Sequence, residues 1–211
     1  MKSVALIDYG SGNLRSAEKA LVRAADGRAN IVVTHDPEFV AAADAVVLPG
    51  VGAFAACMAA LSARDGVIEA METAVRQRGA PFLGICVGMQ LMASRGHEFG
   101  VTAGLGWIPG DVRKIAPADP ALKVPHMGWN NLDVVSDLPM FAGPKAGQPV
   151  YFTHSFAMFP EDEADVAAWV DHGGRFPAAV ARGNMVGVQF HPEKSQSVGL
   201  GLLAGFLEWR P

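Results

Sequence analysis

The chain has 211 residues, with 21 acidic and 17 basic side chains and a net charge of -4. No Lys/Arg-rich stretch offers a polyanion-binding surface, which argues against nucleic-acid binding, and two cysteines cannot build a disulfide framework. Hydrophobic residues make up 50% and charged residues only 18%, against the roughly 25% charged that is usual, so disorder is excluded and apolar surface is in excess.

Taken in chain order, Val4–Ile7 is a short aliphatic run that Asp8 interrupts. It reads as a strand and is too short for a signal-peptide core, so a cytoplasmic chain is expected. Leu14–Ala24 follows with helical spacing, then the β-branched run Ile31–Thr34, a short helix near Glu38–Ala42, and the strand Ala45–Leu48. Residues Ala45 to Ala63 carry no charge, but Pro49, Gly50 and Gly52 break the run. A strand, a turn and a small-residue helix fit better than a membrane span. Cys57 lies in that helix among alanines and reads as core filler. Asp65–Arg78 is a further helix and Pro81–Ile85 a further apolar strand. Continuous apolar strands alternating with amphipathic segments predict a parallel sheet with helices on both faces. In the second half the strands Val112–Ile115, Val150–His154, Val166–Val170, Ala178–Ala181 and Val186–Phe190 crowd together before a closing helix over Val198–Trp209. The expected fold is a single α/β domain over residues 1–211. Its sheet is open and mixed but mainly parallel, with antiparallel strands added.

The stretch Gly84-Ile-Cys86-Val-Gly88 follows an apolar strand and opens a helical pattern. This is the form of a nucleophile elbow, G-x-S-x-G, with cysteine in place of serine. Glycines are needed where a strand-to-helix turn crowds the backbone, and a helix N-terminus favours the thiolate. The competing reading is a buried structural cysteine. A cysteine nucleophile needs a base and the base an orienting acid. His35 and His97 have no acidic neighbour in an obvious orienting position, and His172 sits in a turn, Asp171-His-Gly-Gly174. His191 ends the run Gly187–Phe190 and opens His191-Pro192-Glu193, which places a carboxylate two residues from the ring. Alone, that tripeptide reads equally as a solvated turn; with the elbow it completes a Cys86–His191–Glu193 triad. Pro49-Gly50-Val51-Gly52 after a buried strand is either an ordinary βα turn or a source of oxyanion donors beside the Val87 N–H. No histidine or cysteine spacing fits zinc, and Gly10-Ser-Gly12-Asn13 lacks the third glycine of a dinucleotide fingerprint. No metal or cofactor is expected.

Together these segments resemble the triad-type glutamine amidotransferases, over nearly the whole chain. Three more narrow the resemblance: Asp8-Tyr-Gly-Ser-Gly-Asn13, Val124-Pro-His126-Met-Gly-Trp129-Asn130 and Tyr151-Phe-Thr-His154-Ser155. They are similar to the branch of that family serving histidine biosynthesis as a glutaminase subunit. The resemblance implies a flavodoxin-like class I fold and hydrolysis of glutamine by Cys86, His191 and Glu193. It implies oxyanion donors at Gly50, Val51, Gly52 and Val87, and substrate contacts at Gln90, His154, Ser155 and Phe156. It also implies ammonia transfer to a (β/α)8-barrel cyclase subunit in a heterodimer. Gly12, Asn13, Pro125, His126, Trp129 and Asn130 would face that partner. Phe156 stands where the family commonly has tyrosine. The competing expectations are a glutaminase of another pathway, against which Pro125–Asn130 argues, and a stand-alone cysteine hydrolase. In that last group histidine follows the cysteine, whereas here Val87 does. A regulatory module that has lost its site is the non-enzymatic alternative, and intact Cys86, His191 and Glu193 count against it.

Overall fold

A computed structural model describes residues 1–211. Its first half alternates as the apolar pattern requires: β1 (Lys2–Ile7), α1 (Leu14–Ala25), β2 (Ala29–Thr34), α2 (Pro37–Ala42), β3 (Ala45–Gly50), α3 (Phe54–Ser62), α4 (Val67–Glu72), β4 (Phe82–Cys86) and α5 (Val87–Gln90). The helix expected over 65–78 is α4 continued by a π-helical turn at Thr73–Gln77. Short strands β5 (Arg95–Gly96) and β6 (Thr102–Ala103) precede β7 (Gly110–Lys114), β8 (His126–Asn130) and β9 (Asp133–Val134). After α6 (Ala142–Lys145) come β10 (Val150–His154), β11 (Phe156–Pro160), β12 (Val166–Asp171), β13 (Arg175–Arg182), β14 (Met185–Val188) and α7 (Gln196–Glu208).

The main sheet has the order β2-β1-β3-β4-β14-β13-β12-β9. Its first five strands are parallel and the last three antiparallel, the mixed, mainly parallel sheet that was expected. The central strands β3 and β4 are buried at every residue, because helices cover both faces, while the edge strand β2 is only half-buried. From β1 the chain steps outward to β2 and then back across to β3. Right-handed crossovers therefore put α1 and α2 on opposite faces. The helix α1 shows why it lies flat there: Leu14, Ala17, Leu21 and Ala24 form its buried stripe and Arg15, Lys19 and Arg23 point to solvent. No helix is long and apolar enough to cross a membrane.

Two smaller sheets flank the antiparallel side, β11-β7-β5-β6 and β10-β8. β8 and β11 lie outside every strand expected from the sequence. β14 also ends earlier than expected, at Val188, so His191 stands three residues beyond it. The carboxyl ends of β1, β3, β4 and β14 are neighbours, with Gly50 opposite Cys86 and Val188 opposite Ile85. Such an edge is where ligands bind in open α/β sheets.

Candidate active site

Cys86 closes β4 and caps α5 with φ 54° and ψ −107°, a conformation that L-residues rarely adopt. The surrounding glycines are sterically required. A Cβ on Gly84 would lie 2.6 Å from the Gly88 carbonyl oxygen, and one on Gly88 only 1.9 Å from that of Leu48. A Cβ on Gly50 would come within 2.6 Å of the Gly88 nitrogen. The elbow is thus folded tightly on itself, Gly84 against Gly88, and pressed against β3 through Leu48 and Gly50, which leaves the cysteine in its strained turn.

The loop after β14 brings the second group. The His191 N–H donates to the Tyr151 carbonyl at 2.9 Å. Ser195 Oγ donates to the His191 carbonyl at 2.7 Å and accepts from the Tyr151 N–H at 3.0 Å. The His191 ring is then fully buried, with Nδ1 2.8 Å from Glu193 Oε1, and the Glu193 side chain is fully buried too. Asn13, at the start of α1, donates to the same Oε1 at 3.1 Å. His191 Nε2 and Glu193 Oε2 have no hydrogen-bond partner. Burial would depress the His191 pKa, but Cys86 and Glu193 outweigh it and raise the value to about 9. Burial also opposes the Glu193 carboxylate, which His191 and Asn13 nevertheless hold below its ordinary pKa. The ring is therefore an imidazolium at neutral pH, between the Cys86 sulfur and the Glu193 carboxylate. Gln189 Nε2 is 3.6 Å from Cys86 Sγ on another side.

The Pro49–Gly52 loop is pinned from beneath by two side chains. Tyr9 donates to the Pro49 carbonyl at 2.7 Å and Cys57 donates its S–H to the Val51 carbonyl at 3.3 Å. Cys57, expected as filler without polar neighbours, thus has a bond that only the fold creates. The N–H groups of Val51 and Gly52 make no hydrogen bond within the protein. Since a trans peptide opposes its C=O and N–H, fixing the Val51 carbonyl aims the Gly52 N–H away from Cys57.

Cys86 lies between two clefts. One, of about 270 Å³, is lined by Gly52, Val87, Gln90, Glu98, Pro125 and the run Thr153–Phe156. The other, of about 470 Å³, is lined by Gly12, Asn13, Ser16, Val51, His191 and Lys194, and shares Cys86 and Thr153 with the first. All four residues expected to touch substrate, Gln90, His154, Ser155 and Phe156, line the first cleft. Glu98 was not expected there. It sits in the loop after β5, receives the Phe54 N–H at 2.9 Å and supplies the cleft's only carboxylate. Its one sequence signal is an acid about a dozen residues beyond the elbow, in the polar stretch Ser94-Arg-Gly-His-Glu98. A larger cleft of about 610 Å³ lies elsewhere, beside Lys2, Asp44, Arg78 and Arg210, and holds neither cysteine nor histidine.

Among the residues expected to face a partner, Gly12, Pro125 and Trp129 are exposed and Asn130 is half-buried. Asn13 and His126 are not on the surface: they are 5% and 4% exposed. Each is drawn inward by a polar partner, Glu193 for Asn13 and His154 for His126. His97 also departs from expectation, since strand pairing sets its Nε2 3.2 Å from Asp111 Oδ2.

Residues 5–207 match the family model for glutamine amidotransferase class-I. The chain is 62% identical, over the full length of both proteins, to the imidazole glycerol phosphate synthase subunit HisH of Caulobacter vibrioides. It is 58% identical to the protein of that name from Rhodospirillum rubrum, covering 99% of each chain, and 56% identical to that of Zymomonas mobilis, covering 99% and 97%. Among solved structures, a glutamine amidotransferase shares the fold with a TM-score of 0.68 at 20% identity over 97% of each chain. A glutamine amidotransferase from Thermotoga maritima gives 0.64 at 17% identity, covering 98% and 96%.

Proposed function

Because this chain belongs to the class-I glutamine amidotransferases, as a glutaminase subunit of imidazole glycerol phosphate synthase in histidine biosynthesis, we propose that Cys86, His191 and Glu193 are its catalytic triad. The observation that carries this reading is the buried His191–Glu193 pair set against an elbow cysteine at the meeting of two clefts. Glutamine occupies the cleft of Gln90, Glu98, His154, Ser155 and Phe156, where the Glu98 carboxylate suits the α-ammonium group. The Cys86 thiolate attacks the side-chain carboxamide carbon. The oxyanion forms beside the N–H of Val87 and those of the Gly50–Gly52 loop.

The C–N bond then breaks as the His191 imidazolium gives its proton to the departing nitrogen, releasing ammonia and leaving a glutamyl thioester. The His191 pKa favours this order. Cys86 is the strongest of the neighbours that raise it. Acylation removes the thiolate charge, so the ring becomes more acidic when the leaving group needs the proton. Neutral His191 next takes a proton from water, hydroxide attacks the thioester, and glutamate leaves with the thiolate–imidazolium pair restored. Glu193 holds the ring throughout.

Ammonia leaves by the second cleft, on the side of Gly12, Val51 and Lys194, toward a cyclase subunit of (β/α)8-barrel form. That partner joins the ammonia to its own substrate, giving imidazole glycerol phosphate and an aminoimidazole carboxamide ribonucleotide. The exposed Trp129 and Met127 on β8 offer an apolar anchor for the heterodimer. The test is glutamine hydrolysis with and without the cyclase and its nucleotide ligand, for the native chain and for Cys86→Ala. Stimulation by the partner, abolished in the variant, is the expected result. Unchanged turnover in Cys86→Ala refutes the triad, and absence of stimulation refutes the subunit coupling.

A further inference from the structure

A line of polar side chains runs inward from β8 to the glutamine cleft, and from Asn130 as far as the Phe156 carbonyl its hydrogen bonds have one consistent direction. His154 Nδ1 lies 3.0 Å from the Phe156 carbonyl oxygen. A carbonyl only accepts, so Nδ1 bears the proton and, in a neutral ring, Nε2 offers a lone pair. That Nε2 is 3.1 Å from His126 Nδ1, which must therefore donate. His126 Nε2 is then an acceptor, and Asn130 Nδ2 donates to it at 3.3 Å. The Asn130 amide cannot be turned over without loss. Its Nδ2 also donates to the Asp171 carbonyl at 2.8 Å and its Oδ1 accepts the Asn131 N–H at 2.8 Å. One rotated amide or one wrong tautomer sets two lone pairs, or two protons, against each other.

The line continues past His154. The Phe156 carbonyl also accepts from Gln90 Nε2 at 2.9 Å. The same Nε2 donates to Gln189 Oε1 at 3.0 Å, and Gln189 Nε2 reaches Cys86 Sγ at 3.6 Å. The rings are also fixed by packing. His126 stacks on Phe152 with centroids 4.6 Å apart and on His172 at 4.2 Å, and His172 Nε2 donates to the Lys123 carbonyl at 2.9 Å. This is a stacked row of rings, not a convergent cluster that could hold a metal. Burial, reinforced by neighbouring histidines, keeps His126 and His154 neutral, with pKa values lowered to about 3 and about 4.

We propose that Asn130, His126 and His154 are positioning residues for glutamine, a tautomer-locked relay that fixes the Phe156 carbonyl and, through it, the Gln90 amide in the cleft wall. The relay rests on the glutaminase reading above and adds to it the groups that shape substrate binding from the half-buried outer end of β8. None of the three performs the chemistry, so the effect falls on KM more than on kcat.

Two measurements test it. In long-range proton–nitrogen NMR spectra of the labelled full chain at neutral pH, both His126 and His154 are expected as Nδ1–H tautomers. Finding either ring as Nε2–H or doubly protonated overturns the relay, whatever the activity. In the complex with the cyclase, His126→Phe keeps the stack but deletes both hydrogen bonds. It should raise KM for glutamine roughly tenfold while kcat stays within about twofold. Asn130→Asp replaces the donor by an acceptor, so it should switch both rings to Nε2–H and raise KM similarly. That variant carries the test if His126→Phe does not fold. Native KM in the folded variants refutes the proposal. A native complex without glutaminase activity refutes the reading beneath it, while the tautomers still decide the relay.

Discussion

Asn13 and Glu193 lie 180 residues apart in the chain, yet the Asn13 amide donates at 3.1 Å to the carboxylate oxygen that also faces His191. The amide is itself oriented by Ser11, whose Oγ donates to Asn13 Oδ1 at 2.7 Å. Glu193 thus has one oxygen held from two sides, so in the proposed triad Asn13 would act through the acid. Asn13→Ala is expected to lower kcat/KM for glutamine about tenfold, and Asn13→Asp more, by setting a second carboxylate against Glu193. Steady-state kinetics in the complex decide it, and native kcat/KM in folded Asn13→Ala removes the role.

The raised His191 pKa predicts the alkaline side of the pH profile. The imidazolium is present at neutral pH and loses its proton as pH rises through about 9. Glutaminase kcat/KM should therefore fall above about pH 9, where the thiolate–imidazolium pair is lost. Glu193 is one of the groups raising that value, so Glu193→Gln should move the alkaline limb to lower pH while cutting the rate by ~10²- to 10⁴-fold. An alkaline limb at the same pH in Glu193→Gln means that the carboxylate does not tune the ring.

The elbow predicts a sharp contrast between glycines. A Cβ on Gly88 would penetrate the Leu48 carbonyl at 1.9 Å, and the fully buried β3 strand leaves no room to retreat. Gly88→Ala should lower the melting temperature by about 10 °C or more, or prevent folding. Gly201, inside α7, has open space where a Cβ would stand, with no atom within 4 Å. Gly201→Ala should stabilise the fold by about 0.5–1 kcal/mol through helix propensity alone. Equal thermal stability of the two variants refutes the steric account.

Periodicity reads the parallel half well, because strands buried on both faces have no reason to carry polar residues and show as unbroken aliphatic runs. It fails at β8, where His126-Met127-Gly128-Trp129-Asn130 turns its histidine inward and its methionine and tryptophan outward. The inward side chain is polar because it is hydrogen-bonded, and such bonding is invisible until β10 sets His154 opposite His126. The proposed triad is legible from the elbow and His191-Pro-Glu193, since both are local. Asn13 against Glu193, Cys57 against Val51 and Glu98 in the cleft depend on chain crossings that no short motif records.

Cys57 should behave as a support of the oxyanion loop. Its S–H bond to the Val51 carbonyl opposes rotation of the Val51–Gly52 peptide. Cys57→Ala removes the donor at little cost in volume and is expected to lower kcat a few-fold with KM unchanged, because the oxyanion develops only in the transition state. Cys57→Ser restores a donor and should restore kcat. If alanine and serine variants have the same kcat, the bond has no bearing on turnover.

The buried histidines predict how stability responds to acid. The folded pKa values of His126 and His154, about 3 and about 4, lie below the ordinary value of 6.5. Between those limits the unfolded chain binds protons that the folded chain does not, so stability falls as pH falls below 6.5. Each such group contributes a slope of up to about 1.4 kcal/mol per pH unit. His191 has the opposite sign. Its raised value contributes stability fully present below pH 6.5, lost as pH rises toward about 9. His126 faces His154 and His172, both of which disfavour a proton on it. His126→Phe should therefore flatten the acid slope by about one group's worth between pH 6.5 and 5, measured by urea unfolding at fixed temperature. An unchanged slope in the folded variant shows that His126 is not the group that acid must protonate.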